Sequence, residues 1–243
     1  MREESQHVLR CVALGRVPYL DAVDLQRSLL ARRAEGQAPD TLLLLEHPHV
    51  YTLGRRARDS DVLADAAALQ ATGAEVARTD RGGETTYHGP GQLVAYPILG
   101  LHWLGMGPVG YVRLLETAII ETLACYGLAG HTVDGSPGVW VGGDGAAPAD
   151  GVVPAGRKIA AIGVKVSRGV SMHGLALNVS TDLSYFTRIV PCGMPGLPVT
   201  SISEETGRAV DTHEVGASFA RVLAAALGLD LVTVDSLDLA HAD

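Results

Sequence analysis

Apolar and polar positions alternate along the chain in two periods, and switching between them predicts most of its elements. Val8 to Leu14 reads as a strand, and Tyr19 to Glu35 as a helix, with Leu20, Val23, Leu25 and Leu29-Leu30 near helical spacing. Thr41 to Glu46, with its apolar run Leu42 to Leu45, reads as a buried strand. After His47-Pro48-His49 come a short strand, Val50 to Leu53, a helix rich in alanine, Val62 to Thr72, and a short strand at Val76 to Arg78. A glycine-rich loop, Arg81 to Gly91, leads into a strand at Gln92 to Leu99. Val109 to Tyr126 carries the longest helical pattern. Val139 to Val141, Lys158 to Ser167, Gly169 to His173 and Leu175 to Val179 read as strands of one sheet, and Thr212 to Leu227 as a closing helix. The order is not a regular βαβ repeat, so it predicts an α+β fold, a mixed sheet flanked by helices.

Composition narrows the picture. A chain of 243 residues, 47% hydrophobic and 19% charged, can bury one full core, and a single domain over 1–243 is expected. A net charge of -8 disfavours the phosphate-neutralising surface of a nucleic-acid binder. No apolar run is long enough for a membrane span, and no charged-then-apolar leader opens the chain. Three cysteines are too few and too odd for a disulfide framework, which points to a reducing compartment, the cytoplasm.

Among those cysteines Cys192 stands apart. Cys11 and Cys125 lie in apolar periodic stretches and are expected to pack, whereas Cys192 lies in the turn Pro191-Cys192-Gly193-Met194-Pro195-Gly196-Leu197-Pro198, where cores are not built. A nucleophilic thiol needs a cation or base beside it to become thiolate. Lys158, beside small apolar residues in Gly156-Arg157-Lys158-Ile159-Ala160-Ala161-Ile162-Gly163, is the candidate partner. Strand alternation sets Lys158, Ala160 and Ile162 on one face and Ile159, Ala161 and Gly163 on the other. The alternative is a strand-start lysine whose head reaches solvent.

Arg81-Gly82-Gly83-Glu84-Thr85-Thr86-Tyr87-His88-Gly89-Pro90-Gly91-Gln92 can bring backbone N–H groups close to a ligand, yet it has neither Walker A nor dinucleotide spacing. His88 is open to three readings: a base for the cysteine, a substrate contact, or a hydrogen-bonded core histidine. The histidine and cysteine spacings match no zinc pattern, so neither metal nor cofactor is expected.

Together these segments resemble the lipoyl(octanoyl)transferases of the lipoate-protein ligase B type. The likeness rests on Arg81-Gly82-Gly83 with Thr86 to Gln92, the lysine strand Gly156 to Gly163, Ser171-Met172-His173-Gly174-Leu175-Ala176-Leu177-Asn178, and Pro191-Cys192-Gly193. It runs in order from about Gly15 to Gly207, with Leu44 to Gly54 adding to it. One departure is the Gly142–Ala155 stretch, longer than the family's usual link.

The resemblance implies the catalytic module shared by biotin and lipoate protein ligases. It implies octanoyl transfer from octanoyl-acyl carrier protein to a lysine of lipoyl domains, those of 2-oxoacid dehydrogenases and the glycine cleavage H protein, through an acyl-cysteine. Carried over, Cys192 is the nucleophile and Lys158 its activating partner and proton shuttle. Arg81, Gly82, Gly83, Glu84, Thr85, Thr86, Tyr87 and His88, Ala161, Ile162 and Gly163, and Gly174, Leu175 and Ala176 bind the acyl substrate. A monomer is expected. An acidic carrier would dock on Arg55, Arg56 and Arg58 with Arg78, unless that cluster is only a solvated turn. The rival readings are an ATP-dependent ligase of the same fold and a catalytically silent acyl-binding module.

Overall fold

The computed structural model describes residues 7–143, 145, 146 and 152–235. Its elements are β1 (Val8–Arg16), α1 (Tyr19–Ala34), β2 (Asp40–Glu46), β3 (Val50–Leu53), α2 (Ala66–Thr72), β4 (Glu75–Arg78), β5 (Thr85–His88), β6 (Gln92–Ile98), α3 (Pro108–Ala124), β7 (Gly130–Val133), β8 (Ser136–Val141), β9 (Arg157–Ser167), β10 (Val170–Asn178), α4 (Ile202–Thr206), α5 (Thr212–Leu227) and β11 (Asp230–Thr233). An eight-stranded mixed sheet runs β11-β1-β2-β6-β10-β9-β8-β7, and a three-stranded sheet runs β4-β3-β5. The parallel pairs are β11 with β1, β1 with β2, and β3 with β4. The α+β expectation holds.

The apolar run of β2 is continuous because both faces of the large sheet are covered. Leu42 and Leu44 join a core with Leu115, Ile119, Phe219 and Leu223 of α3 and α5, while Leu43 and Leu45 join a second core with Val23, Leu29 and Leu30 of α1. Burial of each such leucine contributes about 1.5–3 kcal/mol. Helix α1 turns Tyr19, Ala22, Val23, Gln26, Leu29, Leu30 and Arg33 inward. Leu20, expected on that face, is 60% exposed. Arg33 is buried against Asp40, with Nε donating to Oδ1 at 2.6 Å, so a charge that the pattern reads as surface is part of the packed face.

Other boundaries moved for local reasons. The helix expected from Val62 starts at Ala66, where the Asp65 carboxylate accepts from Ala68 N–H at 2.8 Å, and Gly73 closes it with φ 63°. Val62 itself bridges to Ile189. Gly169 to His173 and Leu175 to Val179, expected as two strands, are one, β10; His173 keeps the strand running with φ 59°, against the usual preference of a non-glycine residue. The glycine-rich stretch expected as a loop contains β5, paired with β3. Gly130–Val133 and Asp230–Thr233 add edge strands, and Ile202–Thr206 a short helix, that the pattern did not show. Residues 144 and 147–151 of the long Gly142–Ala155 stretch lie outside the described residues. No described helix is long and apolar enough to cross a membrane.

Candidate active site

Strands β9 and β10 build one wall of a cavity of about 420 Å3. Their register sets Ala161 opposite Ala176, Ile162 opposite Leu175, Gly163 opposite Gly174 and Val164 opposite His173, and all eight residues line it. Small side chains leave this ladder open. A Cβ at Gly174 would stand 2.1 Å from Ala95 O, and one at Gly163 would stand 2.9 Å from Gly82 O, so bulk there strikes backbone. A second, adjoining wall comes from β5 and the turn before it, where Gly82 N–H donates to Val164 O at 3.0 Å and fastens the Arg81–Glu84 turn to β9.

Cys192 and Lys158 both line this cavity, and both also line a second, smaller cavity with Ala161 and Ala176. That places them at the Ala161–Ala176 end of the ladder. Cys192 is half-buried, with φ 53° and ψ 27°, followed by Gly193 at φ 71°. A non-glycine residue in this left-handed region costs about 1–2 kcal/mol, and Met194 N–H donating to Pro191 O at 2.9 Å holds the turn there. The other two thiols lie elsewhere. Cys11 is buried, and burial pushes its thiol up to about 11, which leaves it inert. Cys125, expected to pack, is exposed on the last turn of α3.

Lys158 is buried, and its alternation differs from expectation. Trp140 pairs with Lys158 but Val139 pairs with Ala160, so the ladder slips by one residue at Ile159. Ile159 and Ala160 both enter the core beneath α3, and Lys158 lines the cavity beside Ala161 and Gly163 instead of sharing a face with Ala160. Its backbone is fixed by Lys158 N–H to Pro198 O at 2.8 Å and Thr200 N–H to Lys158 O at 3.0 Å. Its Nζ donates to Pro137 O at 2.9 Å and stands 5.0 Å from the Trp140 ring centroid. The solvent-reaching alternative is excluded.

Arg81 is a second buried cation on the wall. Its guanidinium donates to Thr52 O at 2.7 Å, Thr52 Oγ1 at 2.8 Å and Gly82 O at 2.9 Å, none of them a carboxylate. Burial pushes its pKa down, opposed by Tyr19 and Cys192. His88 is held by Gln92 Oε1 at 2.8 Å from Nδ1, which assigns the proton to Nδ1, and burial drives it neutral. Gln92 Nε2 donates to Asn178 Oδ1 at 2.9 Å and Asn178 Nδ2 to Thr200 O at 2.9 Å, so the chain of polar groups ends beside the Lys158 backbone.

Of the expected binding residues, Arg81, Gly82, Gly83, Glu84, Thr85, Thr86 and His88 line the cavity, as do Ala161, Ile162, Gly163, Gly174, Leu175 and Ala176. Tyr87 does not; strand alternation turns its ring into a separate cluster with Tyr51, Tyr185 and Phe186. The wall also includes Tyr19, Tyr96, His173 and Met194, which the sequence reading passed over. His173 lay inside the Ser171–Asn178 segment and Met194 inside the Cys192 turn, whereas Tyr19 and Tyr96 lay in no singled-out motif. His173 Nε2 hydrogen-bonds Asp80 Oδ1 at 2.8 Å, and Asp80 also accepts from Lys165 Nζ at 2.6 Å. Burial would raise the Asp80 carboxyl, but the Lys165 and His173 hydrogen bonds and charges outweigh it and hold the group at about 2. Among the described residues no group of three or more His, Cys, Asp or Glu is arranged to hold a metal ion.

Residues 18–224 match the lipoyl protein ligase A/B catalytic domain. The chain belongs to that family. An octanoyltransferase of Chloroflexus aurantiacus is 53% identical over 203 residues, which cover 83% of this chain and 86% of that protein. An octanoyltransferase of Thermobifida fusca is 45% identical over 228 residues, covering 94% and 92%. Solved structures share the fold at low identity. The lipoate protein ligase Ta0514 of Thermoplasma acidophilum with bound lipoic acid superposes with TM-score 0.71 at 18% identity, covering 95% of this chain and 92% of that one. The biotin protein ligase of Aquifex aeolicus in complex with biotin and ATP superposes with TM-score 0.52 at 14% identity, covering 90% and 70%.

Proposed function

We propose that this chain transfers an octanoyl group from the thioester of acyl carrier protein to a lysine amine of a lipoyl domain, by way of an acyl thioester on Cys192. The observation that carries the reading is that Cys192 and Lys158 line one cavity together with the Ala161–Gly163 and Gly174–Ala176 ladder. Relatives about half identical to the chain that bear the name octanoyltransferase support the acyl group.

The thiolate of Cys192 attacks the donor carbonyl; a carbon–sulfur bond forms to Sγ, and the bond to the carrier's sulfur breaks. The carrier leaves as a thiol with the proton that Lys158 delivers. The acceptor amine then attacks the new thioester. A carbon–nitrogen bond forms, the bond to Sγ breaks, and the surplus proton of the amine returns through Lys158. Nothing is oxidised, and an amide is more stable than a thioester, so no nucleotide is consumed. The alkyl chain lies along the largely apolar ladder Ala161–Gly163 and Gly174–Ala176, with the Arg81 side chain beside Gly163. The domain that does this is the whole described chain acting as one unit.

The carrier docks at the cavity mouth on the Arg55, Arg56 and Arg58 cluster. Arg56 Nε already donates to Glu84 Oε1 at 2.7 Å and Arg78 pairs with Asp59, so the exposed Arg55 and Arg58 supply most of the attraction.

The test is intact mass after incubation with octanoyl-acyl carrier protein in the absence of ATP, beside Cys192→Ser. One added octanoyl group on the wild type and none on the variant is expected. No adduct on the wild type would refute the reading and favour either an ATP-dependent ligase or a silent binding module.

A further inference from the structure

Lys158 is held by a peptide group. Its Nζ donates to Pro137 O at 2.9 Å, and the N–H of the same Pro137–Gly138 peptide donates to Glu116 Oε1 at 3.0 Å. One amide plane therefore stands between an ammonium and a carboxylate. Hydrogen bonds in series polarise one another, and each of these is strengthened by a charge at its far end.

The local backbone is specialised for this arrangement. Gly138 has φ +128°, and a Cβ there would stand 2.4 Å from Ala160 O and 2.8 Å from Lys158 Cε. The slip at Ile159 that turns Lys158 toward the cavity falls between Val139 and Trp140, next along the same ladder, in which Gly138 pairs with Ala161. Glu116 comes from the middle of α3, which packs on β7, β8 and β9. It does not line the cavity, so it meets no substrate. Burial pushes its carboxyl up, opposed first by the Gly138 N–H and then by the Lys158 and Arg113 charges.

We infer that Glu116 is a positioning residue for the acyl transfer proposed above: through the Pro137–Gly138 peptide it fixes where the Lys158 ammonium stands relative to Cys192. The inference rests on that reading of the site. The groups facing Lys158 are Glu116 from α3, the Trp140 ring from β8 and Cys192 from the 191–193 turn, and the Arg81 charge also acts on Cys192. Arg113 faces Glu116 from its own helix.

The experiment follows alkylation of Cys192 by iodoacetamide against pH in the full chain, read on the Cys192 peptide so that exposed Cys125 does not interfere. It compares wild type with Lys158→Met, Glu116→Leu and Glu116→Gln. Glu116→Leu is expected to move the profile by about one pH unit toward that of Lys158→Met. It is also expected to lower kcat about tenfold with KM for the acyl donor unchanged. Glu116→Gln keeps an acceptor for Gly138 N–H and should restore most of both. A Glu116→Leu profile superimposed on wild type, with Lys158→Met shifted, overturns the inference, since a purely structural role changes stability alone. Should Glu116→Leu not fold, the Gly138 amide proton decides: an upfield move in Lys158→Met relative to wild type is expected, and an unchanged shift overturns the inference. Failure of the transfer reading itself shows separately, as a wild type that no acyl donor modifies.

Discussion

Strand β9 carries two lysines, Lys158 in the cavity wall and Lys165 just past it, and the two are kept in different ways. Lys165 is one-third exposed and pairs with Asp80, which His173 also binds. Lys158 is 5% exposed, makes no carboxylate ion pair among the described residues and spends its hydrogen bond on a backbone carbonyl. A cation paired with a carboxylate in partial contact with water contributes little and reacts with nothing. A buried one without a direct carboxylate partner is costly to keep, and such groups cluster where the charge is used. The same contrast separates inert, buried Cys11 from Cys192 in its strained turn. Position along one strand thus divides a cation that lines the cavity without a carboxylate partner from one that is paired with Asp80.

Removing the cation in the cavity wall should cost most. Lys158→Ala is expected to slow single-turnover acylation of Cys192 by about 10²–10⁴-fold in rapid-quench assays, whereas Lys165→Met should leave that rate near wild type. Comparable losses in both would erase the distinction. Next in size is the wall between the two lysines: Gly163→Val should destabilise the fold by about 1–3 kcal/mol in urea titration, because its Cβ would meet Gly82 O at 2.9 Å. KM for the acyl donor should rise with it.

The paired cation should instead show in acid. The folded Asp80 pKa, about 2, lies below the unfolded value of about 3.9. Its contribution is therefore present above the unfolded value and lost as pH falls through about 2. Urea midpoints between pH 5 and 2 should fall more steeply for wild type than for Asp80→Asn, and Lys158→Met should keep the wild-type slope. Smallest is the docking cluster. Charge reversal at Arg55 and Arg58 should raise KM for the acylated carrier about threefold at low salt and leave kcat unchanged. An unchanged KM would remove the cluster from docking.

Much of this division was legible in the residues. Cys192 announced itself by sitting among prolines and glycines, and Lys158 by sitting among alanines and isoleucines. The face Lys158 takes was not legible, because a one-residue slip in the β8–β9 ladder is set by pairing across strands and leaves no mark in the period of β9. Tyr19 and Tyr96 escaped because each begins or interrupts an apolar run and reads as core. Strand β5 was hidden by the glycines around it, and Tyr87 was assigned to the site because a contiguous motif does not show that alternate side chains leave it. Edge strands β7 and β11, four residues each, are too short to establish a period. Glu116 was unreadable for a simpler reason: its partner is a backbone N–H brought close only by the packing of α3 on β8.

The most direct measurement is a single turnover from isolated octanoyl-Cys192 protein, mixed with a lipoyl domain in the absence of ATP and sampled by rapid quench. The acyl-enzyme should decay at the rate at which octanoyl-lysine appears, and Lys158→Ala should slow both together. An adduct that persists while the lipoyl domain stays unmodified, or product that forms faster than the adduct decays, would refute the assignment of Cys192 and Lys158 as the transferring pair.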